Sequence, residues 1–358
     1  MGGMMKVLIA MSGGVDSSVA AKLLCDEGYE CIGCTMKLYD NCDAGLPRGR
    51  TCCSLDDVED ARSVAFSLGM RYYVFNFKDD FHEKVIKKFA SGYLRGQTPN
   101  PCIDCNRYMK FDKLFERAKL LGCDKIATGH YARIEFDGRK YRLKKALDKS
   151  KDQSYVLYML TQEQLAHALF PLGSLHKTDT RAIADTAGFS SAHKPDSQDI
   201  CFVPDGDYAA AIERLAGIKA PCGNFIDASG KVIGTHRGIT HYTVGQHRGL
   251  GLSLPERRYV CSIDAENSTV TLGGNDELYS STAEVRGFNW ISGETPAEPI
   301  RCTAKIRYRQ PEQPATEIAH KDGSITIQFD APQRAVTPGQ AAVLYDGDTV
   351  LGGGEIVR

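Results

Sequence analysis

Net charge and long apolar runs are both scarce in this 358-residue chain. Its 44 Lys and Arg against 45 Asp and Glu leave a formal charge of −1 with histidine neutral. A global pull toward a polyanion is therefore excluded, and such a partner must be read from local patches. No apolar stretch approaches the roughly 20 residues of a membrane-spanning helix, and the N-terminus lacks a secretory signal's basic and apolar regions. The expectation is a cytoplasmic protein with no membrane partner. The 13 cysteines lack the dense spacing of a small secreted scaffold. Most are expected reduced, so clustered ones point to metal or thiol chemistry. The length suggests two or three domains, and neither an internal repeat nor a low-complexity tract is present.

A Walker lysine is missing too. Residues 6–11, Lys-Val-Leu-Ile-Ala-Met, read as a buried strand, and residues 19–24 continue into a helix with Val15, Val19 and Leu23 on one face. Between them Ser12-Gly13-Gly14-Val15-Asp16-Ser17-Ser18 offers two glycines, three hydroxyls and one carboxylate. Glycines let backbone approach a ligand, and the open N–H groups of a helix start attract anions, so a phosphate-bearing ligand is expected. No Gly-Lys-Ser/Thr follows, and the first lysine after the turn is Lys22, inside the helix. The stretch instead resembles the pyrophosphatase loop of the ATP pyrophosphatases, which cleave ATP between α and β phosphates and adenylate an oxygen. GMP, NAD, argininosuccinate and asparagine synthetases share that loop with the tRNA thiolases, so the acceptor stays open.

The first half alternates strand and helix. Strands are expected at 29–36, 71–77 and 125–128, with helices from Ser54 to Leu68, at 81–94 and at 111–121. That alternation predicts a doubly wound parallel sheet with ligands at the strand C-termini. A hairpin follows at 132–144 around Asp137-Gly138-Arg139. Helices are expected at 153–160, at 162–169 after a Thr161–Gln164 capping box, at 179–187 and at 208–215. Beyond Gly223 short β-like segments at 231–234, 258–263, 269–272, 303–308, 324–329 and 341–345 favour two β-rich modules, the last a barrel. The expected domains are a catalytic α/β domain at 1–207, a central β-rich domain at 208–278 and a β-barrel at 279–358.

Cys102 and Cys105 stand in Thr98-Pro99-Asn100-Pro101-Cys102-Ile103-Asp104-Cys105-Asn106, which the prolines mark as an extended loop between helices. The pair admits three readings: half a zinc site, a redox couple, or thiols that take part in sulfur transfer. A further cysteine-rich stretch lies at 40–53. These motifs recur with Thr128-Gly129-His130-Tyr131-Ala132-Arg133, Lys151-Asp152-Gln153-Ser154, Asp196-Ser197 and Ile200-Cys201-Phe202. Thr243-Val244-Gly245-Gln246, Arg307-Tyr308-Arg309 and Pro338-Gly339-Gln340 complete the set. In that order the chain resembles, over essentially its whole length, the tRNA-specific 2-thiouridylase family.

The resemblance implies that ATP adenylates the C2 oxygen of the tRNA wobble uridine, releasing pyrophosphate and making AMP the leaving group. It places ATP on Ala10, Met11, Ser12, Gly13, Gly14, Val15, Asp16, Ser17, Met36 and Gly129, with Asp16 toward Mg²⁺. Cys201 would carry a persulfide sulfur from a cysteine desulfurase or sulfur-relay protein. Cys105 would attack it, leaving a Cys105–Cys201 disulfide, with Lys194 a candidate for lowering the Cys201 pKa. The tRNA would meet Asn100, Pro101, Cys102, His130, Lys151, Asp152, Gln153, Arg307, Tyr308 and Gln340. Basic runs at 139–145 and 305–309 would add to this surface.

Many members of that family carry Asp where this chain has Cys102. Cys102, Cys105 and Cys201 could together hold an iron–sulfur cluster, as in some related thiolases. An amide-forming ATP pyrophosphatase and a non-catalytic tRNA-binding scaffold are the competing readings. The first would not need the paired thiols, and the second would release no pyrophosphate.

Overall fold

The computed structural model describes residues 4–39, 55–194, 200–203 and 206–358. The cysteine-rich stretch at 40–53, the helix-capping Ser54 and the Asp196-Ser197 pair fall outside them.

The five residues of β1 (Lys6–Ala10) are apolar after the lysine, which suits a central strand covered on both faces. Leu8 and Ala10 pack into one core with Phe111, Leu114 and Tyr155. Val7 and Ile9 pack into another with Val15 and Val19 of α1 (Val15–Asp26). Around β1 lie β2 (Glu30–Lys37), β3 (Arg71–Asn76), β4 (Lys125–Ala127) and the two-residue β7 (Ala168–Leu169), in the order β3-β2-β1-β4-β7. Every pairing in this sheet is parallel. The chain runs outward from β1 to β3 and then returns to the other side of β1. The crevice between the ends of β1 and β4 is thus a topological switch point, where such sheets bind ligands.

A central module follows the helix Tyr208–Ala216. Its strands β8 (Gly223–Ile226), β9 (Val232–His236), β10 (Tyr259–Asp264) and β11 (Thr269–Gly273) lie in the order β10-β11-β8-β9. The last module comprises β12 (Tyr279–Trp290), β13 (Ile300–Lys305), β14 (Gln313–Ala319), β15 (Ile325–Arg334), β16 (Ala341–Asp346) and β17 (Thr349–Ile356). A β12–β17 pairing closes these six strands into a barrel. The hairpin of β5 (Ala132–Phe136) and β6 (Tyr141–Lys145) extends this sheet, Lys144 pairing with Thr349. Among the described residues no helix is long and apolar enough to cross a membrane.

Several local expectations change. The segment expected as a loop at 98–106 is the start of a helix that runs unbroken from 101 to 120. Pro101 occupies its first position, where a missing N–H costs nothing and the fixed φ is already helical. The helix expected at 153–160 is one 3₁₀ turn, Ser154–Leu157. The strand expected at 303–308 is Ile300–Lys305, so Arg307 and Tyr308 lie in the turn beyond it.

Candidate active site

The loop after β1 is shaped by backbone constraint. Gly13 has φ +74°, and a Cβ there would stand 2.4 Å from the Asp57 carbonyl oxygen, so glycine is required twice over. Gly14 caps α1 without a side-chain cap bond. Ser17 and Ser18 both donate from Oγ to the Gly14 carbonyl at 3.0 Å, and Ser12 N donates to Ser17 Oγ at 3.1 Å. These bonds fix the loop at the positive end of α1. Gly129 follows β4, where a Cβ would come within 2.9 Å of Ser17 N. Its lack of a side chain lets the β4 loop touch the β1 loop.

Asn100 caps the 101–120 helix by accepting from Cys102 N at 3.1 Å. Asn106 anchors it, its Nδ2 donating to the Val156 carbonyl at 3.0 Å. Residues 105–113 are wound as π-helix, an irregularity common at functional sites. Cys201 comes from the opposite wall. Tyr39 donates from its hydroxyl to the Cys201 carbonyl at 2.8 Å. Phe202 is wedged edge-on against Phe81 and Phe89, with ring centroids at 5.8 and 5.5 Å.

These walls enclose one cavity of about 360 Å³. It brings together Ala10, Met11, Ser12, Asp16 and Ser17 from the phosphate loop, Met36 from β2 and Gly129 from beyond β4. Pro101, Cys102, Cys105, His130, Gln153 and Cys201 are among the other residues that line it. Cys102, Cys105 and Cys201 are all present as unbridged cysteines. Other expected residues lie elsewhere or hold structure. Asn100 lines a neighbouring cleft with Lys88, Arg107 and Arg286. Asp152 accepts from Ala146 N and from the Ser154 hydroxyl. Arg307 donates to the carbonyls of Val244 and Ala335 and to Thr337 Oγ1, while Gln340 Nε2 reaches the Thr98 carbonyl. Arg307 and Gln340 thus join modules, and Gln340 ties the barrel to the segment that leads into Cys102. Tyr308 is partly exposed beside Tyr155, and Lys151 sits in the turn before Asp152.

His130 is buried, with Nδ1 2.7 Å from Thr128 Oγ1 and Nε2 3.4 Å from Lys110 Nζ. A lysine ammonium can only donate, so Nε2 is the acceptor and Nδ1 carries the proton. Burial, then the Lys110 charge, hold its pKa well below the usual histidine value. It faces the cavity as a neutral ring.

Lys177 at the phosphate loop carries no motif and was not foreseen, and Tyr131, within the Thr128–Arg133 motif, was assigned no role there. Lys177 Nζ stands 2.6 Å from Asp16 Oδ1, and the Tyr131 hydroxyl donates to the same oxygen at 2.9 Å. Asp16, expected to turn toward Mg²⁺, thus has one oxygen, Oδ1, engaged by both groups. The expectation of Lys194 as the cation for Cys201 is corrected, because it pairs with Asp57 (2.9 Å) and with Asp60. The basic hairpin is largely neutralised. Lys140 pairs with Glu294, Arg142 with Asp137, Lys144 with Glu135 and Asp348, and Lys145 with Glu312. Asp137 is held down at about 2, chiefly by the Lys140 and Arg139 amides. Among the described residues no group of three or more His, Cys, Asp or Glu is spaced to hold a metal ion. The three cysteines share a cavity and are not spaced as such a group.

Three family models match successive parts of the chain. They are a tRNA methyl transferase HUP domain over residues 5–205, a tRNA methyl transferase PRC-barrel domain over 215–274 and an aminomethyltransferase beta-barrel domain over 280–356. Among curated relatives the chain is 52% identical over 355 residues to the tRNA-specific 2-thiouridylase MnmA of Acetivibrio thermocellus, covering 98% of this chain and 99% of that protein. It is 51% identical over 356 residues to tRNA-specific 2-thiouridylase MnmA 2 of Caldanaerobacter subterraneus, covering 99% and 98%. With the tRNA-specific 2-thiouridylase MnmA of Clostridioides difficile identity is 48% over 355 residues, covering 99% and 98%.

Proposed function

The chain belongs to the tRNA-specific 2-thiouridylase family, and we propose that it replaces the C2 oxygen of the wobble uridine by sulfur in two steps at one cavity. Membership makes it a tRNA-uridine sulfurtransferase. In the first step the uracil C2 oxygen attacks the α-phosphate of ATP, pyrophosphate leaves, and the oxygen becomes part of an AMP leaving group. The N–H groups at the start of α1 and the hydroxyls of Ser12 and Ser17 receive the phosphates. Met36 and Gly129 border the adenosine. Mg²⁺ enters such sites largely on the nucleotide's phosphates and needs only one or two carboxylates. Asp16, on the cavity wall, is the side chain that would hold it.

In the second step Cys201 bears a persulfide. Cys105 as thiolate attacks the Cys201 Sγ and the persulfide bond breaks. The terminal sulfur, reduced to sulfide, bonds to C2 as AMP departs. A Cys105–Cys201 disulfide remains, which an external thiol reduces. The donor that loads Cys201, a cysteine desulfurase or relay protein, belongs to this proposal. Neutral His130 and Gln153 border the flipped base, which leaves an anticodon loop at lower cost than a duplex.

The observation that carries this reading is the single 360 Å³ cavity shared by the phosphate loop, Cys105 and Cys201. A methyl-transfer reading, suggested by the wording of the matching models alone, gives the phosphate loop and the two thiols no joint task. The test is incubation with ATP, Mg²⁺, a persulfide donor and unmodified tRNA, followed by nucleoside mass spectrometry. 2-Thiouridine is expected, and it should be lost with Cys105→Ser or Cys201→Ser. Unchanged product in either variant would defeat the proposal.

A further inference from the structure

Lys110 lines the cavity with Ser12 and Ser17 of the phosphate loop, Gly129, His130, Cys105 and Cys201, and neither step above gives it a task. Among the described residues that line this space it is the one lysine or arginine. The winding of the helix puts it there. In an α-helix, residues five apart lie about 140° apart around the axis. The i→i+5 bonding of the π-wound stretch 105–113 instead turns Cys105 and Lys110 toward the same side. Met109, one residue earlier, is fully buried in an apolar cluster.

The surroundings of Lys110 leave its ammonium charged and able to take a ligand. Lys177 and Lys194 are held by carboxylates, the first by Asp16 and the second by Asp57 and Asp60. Lys110 has no carboxylate partner among the described residues. Its Nζ stands 3.4 Å from His130 Nε2, a neutral ring that takes one ammonium proton and leaves two for a ligand. The turn that carries this ring also meets the phosphate loop, since a Cβ on Gly129 would come within 2.9 Å of Ser17 N. The loop itself has no lysine before Lys22, inside α1.

We propose that Lys110 is a catalytic residue of the adenylation step, its ammonium donating to the α-phosphoryl oxygens of ATP and supplying the cation that the phosphate loop lacks. This assignment rests on the adenylation reading given above. The uracil C2 oxygen bonds to the α-phosphorus, the bond from that phosphorus to the pyrophosphate oxygen breaks, and pyrophosphate takes the bonding pair. Charge spreads over the equatorial oxygens of the transferred group, where a preorganised cation stabilises it most in a water-poor site. Lys110 stays protonated throughout. The same ammonium compensates the phosphate of AMP when sulfide displaces it from C2.

The test reads tRNA-dependent pyrophosphate release at saturating ATP, which needs no persulfide. Lys110→Met should slow release by about 10²–10³-fold, with the larger effect on kcat than on the KM for ATP. Lys110→Arg keeps a cation and should recover about tenfold. The loss should persist in a His130→Gln background. If it vanished there, the lysine would act only through the ring and the proposal would fall. A second measurement does not depend on how variants fold. Unsubstituted protein is treated at mildly alkaline pH with an acyl adenylate, a mixed anhydride whose carbonyl sits on the phosphate of AMP. A neighbouring amine attacks that carbonyl, AMP leaves and the amine's proton passes to solvent. Hydroxylamine then clears thioesters from cysteines, and peptide mass spectrometry locates the amide. An amide on Lys110 that excess ATP suppresses is expected. Unchanged release in Lys110→Met, or acylation that spares Lys110, would overturn the proposal. No tRNA-dependent pyrophosphate from the unsubstituted protein would refute the adenylation reading itself, and the role of Lys110 with it.

Discussion

Replacing Lys177 by Met removes the cation that holds the phosphate loop's carboxylate. Its ammonium lies 2.6 Å from Asp16 Oδ1, and the side chains are 10% and 33% exposed. Breaking a fully buried ion pair costs about 3–5 kcal/mol, whereas an exposed pair contributes about 0–1 kcal/mol. Asp16 keeps the Tyr131 hydroxyl and the positive end of α1 when the lysine is lost. The intermediate exposure and these remaining partners place the loss near ~2 kcal/mol. At about 2–4 °C per kcal/mol for a domain of this size, the α/β transition should fall by roughly 4–8 °C. The double variant Asp16→Asn/Lys177→Met leaves no stranded carboxylate. Its midpoint should therefore lie above the sum of the two single losses, by a coupling of about 1 kcal/mol or more. Thermal melting of the four proteins without nucleotide at neutral pH gives the cycle. Strict additivity would show that the contact does not hold the loop and would refute the reasoning.

Two further perturbations probe buried titrating groups. Because the folded pKa of His130 is depressed, its contribution is intact above about pH 6.5. It is lost as pH falls, at up to about 1.4 kcal/mol per pH unit, because the unfolded chain takes the proton first. His130→Gln should flatten the pH dependence of the melting midpoint between pH 6.5 and 5, and an unchanged slope would contradict the assignment of a neutral ring. Glu317 in β14 is fully buried, and both its carboxylate oxygens lack a hydrogen-bond partner among the described residues. Burial raises its pKa, so its contribution is present at low pH and is lost as pH rises above the unfolded value near ~4.3. Glu317→Gln should therefore flatten barrel stability between pH 4.5 and 7. A variant with the wild-type slope would show that Glu317 titrates normally.

Local signals were legible in the sequence and long-range ones were not. The phosphate loop reads clearly because strand, turn and helix are contiguous and Gly13 answers to a backbone constraint within that unit. The sheet order follows from alternation of strand and helix, with β1 central because its residues are apolar on both faces. By contrast, the prolines at 99 and 101 suggested extended chain, yet Pro101 starts a helix, because Asn100 supplies the cap. Lys177 lies 161 residues from Asp16 and has no motif, so no sequence spacing could announce it. The basic run at 139–145 offered an RNA surface, but acids from distant loops, Glu312 and Asp348 among them, neutralise it. The pairing of that hairpin with the barrel has the same cause, since β6 and β17 are some 200 residues apart.

The central claim is that Cys201 and Cys105 act on one activated uridine in the same cavity. A single turnover without external reductant tests it most directly. Protein loaded with persulfide on Cys201 is mixed with ATP, Mg²⁺ and unmodified tRNA, then alkylated. Its thiols are assayed by mass spectrometry and the tRNA by nucleoside analysis. The account predicts one Cys105–Cys201 disulfide for each 2-thiouridine formed. 2-Thiouridine appearing while both cysteines remain alkylatable would contradict it.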